Sequence, residues 1–158
     1  MGSTPITGPI TISTGVLTTS CVWSVVEFNG IDTSGTDGSG AIVQSSSSFA
    51  DTTNTLSVSL NANGNPSNGV FAAFGAAGNA GAAGVITFTP SAGFTEIDDT
   101  GVEWANIETM WRSDNSTSAA TTTNVVADGI GGIAIEIKAF ESITISGAAG
   151  SSAIGSVQ

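Results

Sequence analysis

The chain has 158 residues, and only 9% of them are charged, against about 25% in an ordinary globular domain. Thirteen acidic and two basic side chains give a net charge of −11, with no His and a single Cys. Arg112 and Lys138 alone cannot neutralise a nucleic-acid backbone or an anionic membrane surface. The lack of His removes the usual general base and the commonest zinc ligand, and one Cys cannot form an internal disulfide. The length suits a single domain that buries about 70% of its unfolded surface.

In chain order, the first strand expected is Ile6–Ile12, in an N-terminal arm covering residues 1–19. No basic n-region or apolar h-region is present there, so no secretory signal is expected. Cys21-Val22-Trp23-Ser24-Val25-Val26-Glu27-Phe28 is apolar on both sides for most of its length and reads as a central strand, with Trp23 buried. Ala41–Gln44 follows. Thr55–Leu60 alternates strictly, which directs Leu56, Val58 and Leu60 inward. Val70–Phe74 opens an Ala/Gly-rich stretch, Phe71–Gly84, that fits either a close-packed strand or a loop. Val85–Thr89, Phe94–Asp99 and Ile107–Arg112 are further strands. Gly132–Phe140 is the clearest one: Ile133, Ile135 and Ile137 are expected on the buried face, and Ala134, Glu136 and Lys138 on the polar one. Ile143–Ser146 closes a body spanning residues 20–146. The last segment, 147–158, is a Gly/Ala/Ser tail that gains little by ordering alone, so it hints at packing on a neighbouring subunit. Asn29-Gly30, Asp37-Gly38, Asn63-Gly64 and Asn68-Gly69 supply turns between the runs. Many short strands with turn signals, and no sustained helical period, point to an all-β antiparallel sandwich, jelly-roll-like, with room for a neighbouring subunit's strand.

Chemistry-bearing residues are few. Glu96-Ile97-Asp98-Asp99 is the densest acidic cluster, and alternation places Glu96 and Asp98 on one side of a strand. Paired carboxylates can do acid–base work or hold Ca²⁺; the alternative is a solvated edge. Asp32 and Asp37 sit in a Gly-containing loop that could also offer oxygens to Ca²⁺, or could simply cap backbone N–H groups. Cys21, in an apolar strand with no base available, reads as a small hydrophobe. Lys138 is expected in an exposed ion pair beside Glu136. Trp104, Trp111, Phe140 and Ile154 are candidate interface residues, as sugar-stacking platforms or as subunit anchors. No catalytic residue is assigned, and no cofactor beyond the possible Ca²⁺.

Three stretches together carry a resemblance. Val22–Asp32 resembles a strand followed by an S/N-G-V/I-D signature. Thr87-Phe88-Thr89-Pro90-Ser91-Ala92-Gly93-Phe94-Thr95-Glu96 resembles a T-F-T-P-x-x-G-(F/W)-T step, and Gly132–Lys138 resembles a closing strand. In this order, over residues 20–140, they are similar to a recurrent β-sandwich domain of bacteriophage virion proteins and bacterial surface or tail-fibre-like proteins. The resemblance implies no catalytic residues. It implies a structural role on a virion surface or outside the cell: a capsid decoration or other outer component, self-associating (a trimer is favoured) and bound to a major capsid or other virion protein. The alternatives are a glycan-binding or adhesin module and an extracellular fibre subunit assembled by strand addition. Neither nucleic acid nor membrane is an expected partner.

Overall fold

A computed structural model describes residues 8–13, 20–36, 38–62, 65–78 and 84–153. The described chain is all β. Its strands are β1 (Ser20–Ile31), β2 (Ile42–Ser59), β3 (Gly69–Ala77), β4 (Phe88–Pro90), β5 (Thr95–Val102), β6 (Ala105–Arg112), β7 (Ser118–Ile137) and β8 (Ala139–Ala153). One 3-10 turn, Ser39–Ala41, leads into β2. All pairings are antiparallel. The main sheet runs β2-β7-β3-β6-β5, with β4 also paired to β7, and β1 and β8 form a two-stranded sheet of their own.

The expected sandwich is made in an unexpected way, by one ribbon folded over itself. β2 and β7 pair along their whole length, from Ile42↔Ile137 to Ser59↔Ser118. Yet the Gln44 side chain bonds the backbone of Asn61, 17 residues on: its Nε2 donates to the Asn61 carbonyl at 2.8 Å, and its Oε1 accepts from the Asn61 N–H at 2.9 Å. A straight strand would separate them by roughly 55 Å at 3.3 Å per residue. The fold-over sits where the register slips. Thr53 pairs Ala127 but Thr55 pairs Thr122, so β7 carries the surplus residues of a bulge. The Thr123 hydroxyl closes this corner by donating to the Val125 carbonyl at 2.6 Å. The folded-over half, with β4, faces the half that continues into β3, β6 and β5.

The principal core fills the space between these two halves. Leu56, Val58 and Leu60 point into it as the alternation predicts, and meet Val70, Ala72, Phe74, Met110, Ile130 and Ala134. Gly132 is required at the closest approach, because a Cβ there would strike the Phe74 ring and press on Val58. On the opposite face of the main sheet, β1 and β8 cover a second core of Ile31, Ala41, Trp111 and Ile137, with Phe28, Phe71, Ile97, Ile135 and Ile145 packed against it. Phe28 meets the Phe71 ring edge-on, with centroids 5.6 Å apart.

Four expectations change. In β7 it is Ala134 and Glu136 that enter the principal core, whereas Ile133 is 45% exposed. Ile135 and Ile137 belong to the second core, so both faces of this strand are in use. β1 is not central: it pairs with β8 alone among the described residues, and Trp23 is half-buried. The boundary at residue 147 falls inside β8, since Gly147–Ala153 pairs with Val26–Ser20. Small residues are needed there, because Gly147 abuts Ile97 and Gly150 lies against the Trp23 ring. Residues 8–13 are described without any strand assignment, and residues 154–158 lie outside the described residues.

Candidate functional site

Two groups of side chains carry chemistry. The first is acidic. β5 pairs with β6 so that Glu96 faces Met110 and Asp99 faces Glu108, with a bulge between Glu96 and Asp98. The bulge breaks the alternation, so the expected Glu96–Asp98 pairing on one face is not formed. Glu96 and Asp99 share the face of Glu108, while Asp98 pairs Thr109 on the other. Glu108 is fully buried, and neither carboxyl oxygen has a hydrogen-bond partner of good geometry. Burial pushes its pKa up to about 7; the Thr121 hydroxyl offsets part of this, and the Glu96 and Asp99 charges add to it. Burial, then the Asp99 and Asp98 charges, raises Glu96. Asp98 is raised by burial and by Asp99. Asp99 is raised by burial, offset by the Phe88 N–H that donates to its Oδ2 at 2.9 Å.

A protonated carboxyl beside ionised ones is the pattern that general acid–base chemistry uses. A catalytic acid must also reach its substrate, and Glu108 is sealed beneath the folded-over half of the sandwich. No group of three or more His, Cys, Asp or Glu is arranged to hold a metal ion among the described residues. A second buried carboxylate, Glu136, is fully provided for. Gln44 Nε2 donates to it at 2.6 Å and Asn68 Nδ2 at 2.7 Å. This network ties the start of β2 to β7 and to the turn before β3.

Both carboxylate oxygens of Asp32 are engaged. Asp32 Oδ1 accepts from the Ser34 N–H at 2.8 Å, and Oδ2 accepts from Lys138 Nζ at 2.6 Å. The Lys138 and Ser34 hydrogen bonds hold the Asp32 carboxyl well below the usual carboxylate range. Lys138 forms an exposed ion pair, as its place on the polar face suggests, with Asp32 as its partner. Asp37 lies outside the described residues. The other cation, Arg112, donates through Nε to Asp114 at 2.5 Å and stacks over Phe94.

The second group lines an open cleft of about 540 Å³ on the outer face of the main sheet. Its floor is β3 and β7 backbone carrying almost no side chain: Gly75, Ala77, Gly129 and Gly131. Phe49 and Trp104 form walls, Val22 of β1 forms another, and Asp51 and Asp128 stand at the rim. Trp104 sits in the tight turn between β5 and β6, next to Glu103 in the left-handed region at φ 45, and is 41% exposed. Of the expected interface residues, only Trp104 is placed at this surface. Trp111 is buried in the second core, 5.5 Å from the Phe28 ring centroid, so it is a packing residue and no surface anchor. Phe140 lies on β8, its side chain outside what is described, and Ile154 lies outside the described residues altogether. Sequence reasoning missed Phe49, Asp51, Asp128 and Glu108. Phe49 is signalled as the lone aromatic directly after the serine run Ser45–Ser48, and Glu108 as an acid flanked by Ile107 and, two residues on, Met110 and Trp111.

Compared with known proteins, the chain matches no family model, no curated protein and no solved structure.

Proposed function

We propose that the chain is a non-enzymatic structural component of a virus particle: a β-sandwich on the outer surface of a bacteriophage virion, such as a capsid decoration protein. One observation carries this reading. Beyond the cover of β1 and β8 the main sheet keeps an apolar outer face, with Phe49 66% exposed, on a chain of net charge −11 whose two cations are both engaged in internal ion pairs. Such a face suits contact with protein, through apolar and backbone groups, and not with phosphates. The sequence resemblance to virion sandwich domains supplies the setting. The partners are further copies of the chain, with a trimer favoured, and a capsid or other virion protein.

Light scattering coupled to size-exclusion chromatography tests this. Copies of net charge −11 repel, and salt screens that repulsion. Self-association is expected to tighten as ionic strength rises. Association that weakens with salt would mean that ion pairs hold the assembly, and would overturn this account.

A second reading, a carbohydrate-binding or adhesin module, is favoured by the exposed Trp104 beside Asp51 and Asp128, since sugars stack on aromatic rings and donate to carboxylates. Titration of Trp fluorescence with neutral oligosaccharides tests it. A saturable change supports the module, and its absence removes that reading.

A further inference from the structure

The cleft borders the edge of β1 that does not pair with β8. The small sheet lies over the β5–β6 side of the main sheet, with β8 above β5 and β1 above β6. β1 bonds to β8 on one edge, and no described strand pairs with its other edge. That edge meets the cleft at Val22. One more strand beside β1 would lie directly over β3 and β7. Face-to-face sheets pack about 10 Å apart, and a floor of Gly75, Ala77 and Gly131 leaves room for large side chains from above.

The chain carries a segment of the matching kind. Residues 8–13 read Gly-Pro-Ile-Thr-Ile-Ser, and Ile10 and Ile12 stand 66% and 50% exposed. Two isoleucines two apart project from one face of a strand about 7 Å from each other, the repeat of Gly129 and Gly131 in the floor. Pro9 suits a strand with one edge outermost. Residues 1–26 contain no charged side chain, whereas the whole chain is at −11. This arm can therefore approach another copy, including Asp51 and Asp128 at the rim, without like-charge repulsion. Among the described residues, 8–13 join no strand and the cleft is open, so two complementary surfaces are present in the chain.

We infer that the cleft between β1 and Phe49 is a docking groove for residues 8–13 of a second copy, which add to the free edge of β1 as an extra strand and set Ile10 and Ile12 on the glycine floor. This rests on the reading of the chain as a self-assembling structural protein and names the surfaces that would do it.

Three full-length proteins test it by size-exclusion with light scattering: wild type, the arm variant Ile10→Asp/Ile12→Asp, and the groove variant Gly75→Val. A Cβ at Gly75 meets nothing closer than the Asn106 carbonyl oxygen at 3.7 Å, so valine fills the groove without straining the sheet. Wild type is expected to self-associate. Each variant is expected to self-associate more than about tenfold more weakly, with an unchanged melting temperature. Mixed together, the two variants should form a one-to-one complex, since one retains the groove and the other the arm. If wild type associates and both variants do so equally well, the groove proposal fails while the structural reading stands. If wild type is monomeric under all salt conditions, both fail. If neutral oligosaccharides shift Trp emission in wild type and Gly75→Val abolishes the shift, the cleft is a saccharide site and the strand proposal is overturned.

Discussion

Replacing Glu108 with Gln should make the protein more stable at neutral and alkaline pH. The buried carboxyl titrates at about 7 in the folded chain, against an ordinary value of 4.5. A folded-state pKa above the unfolded one means that the unfolded chain gives up its proton first as pH rises. Stability is therefore greatest below pH 4.5, declines between there and 7, and is flat above. At about 1.4 kcal/mol per unit, the full decline amounts to about 3 kcal/mol, and less to the extent that the neighbouring polar groups solvate the carboxylate. Gln has the same shape and does not ionise, and its amide can donate toward the neighbouring Glu96 and Asp99 carboxylates. The variant should therefore lose most of the decline and exceed wild type by about 2 kcal/mol at pH 8. The assay is urea unfolding followed by Trp fluorescence, repeated from pH 4 to pH 8.5. A residual slope near the acid end is expected from Glu96, Asp98 and Asp99, which are also raised. Asp32, which is lowered, acts oppositely, and its contribution is lost only at still lower pH. Wild-type stability that is flat or rising from pH 4.5 to 8, or a Glu108→Gln curve parallel to it, would refute the reasoning.

Three further outcomes are expected. Trp111→Ala should cost about 3–5 kcal/mol in chemical denaturation, because the ring fills the second core against Phe28. Asn68→Ala removes one of the two side-chain donors to the buried Glu136 and should cost about 1–3 kcal/mol, visible as a lower urea midpoint with an unchanged slope. Gly132→Val should cost about 1–3 kcal/mol or more through collision with Phe74, measured as a fall in Tm, whereas Gly75→Val should leave Tm unchanged.

The all-β sandwich was legible because Leu56, Val58 and Leu60 alternate, and a half-buried strand writes that pattern directly. In β7 the same rule put the buried face on Ile133, Ile135 and Ile137, and Ile135 and Ile137 do pack into the second core, but it did not show that the other face is buried too: Ile130, Gly132 and Ala134 face the principal core, where Gly132 lies against Phe74. Glu136 followed them because Gln44 and Asn68, distant in sequence, supply its hydrogen bonds. Composition likewise presented Gly147–Ala153 as a tail, when it is the strand that lets Trp23 and Ile97 approach closely. At the candidate site Trp104 could be named in advance because an aromatic beside acids in a turn is conspicuous. The groove could not, since its walls come from β1, β2 and the turn between β5 and β6, and its floor is defined by missing side chains. A one-residue bulge, as at Ile97 between Glu96 and Asp98, is also invisible to simple alternation.

The folded ribbon has a kinetic consequence. β2 and β7 each contribute one end to either side of the principal core, so neither side can detach without dismantling the other. Native-state hydrogen exchange should find no partly opened form of the sandwich, only slow and uniform release from β7 amides in one cooperative step. Folding itself must wait for partners as distant as Gln44 and Glu136 to meet, a search that places such a chain among the millisecond-to-second folders.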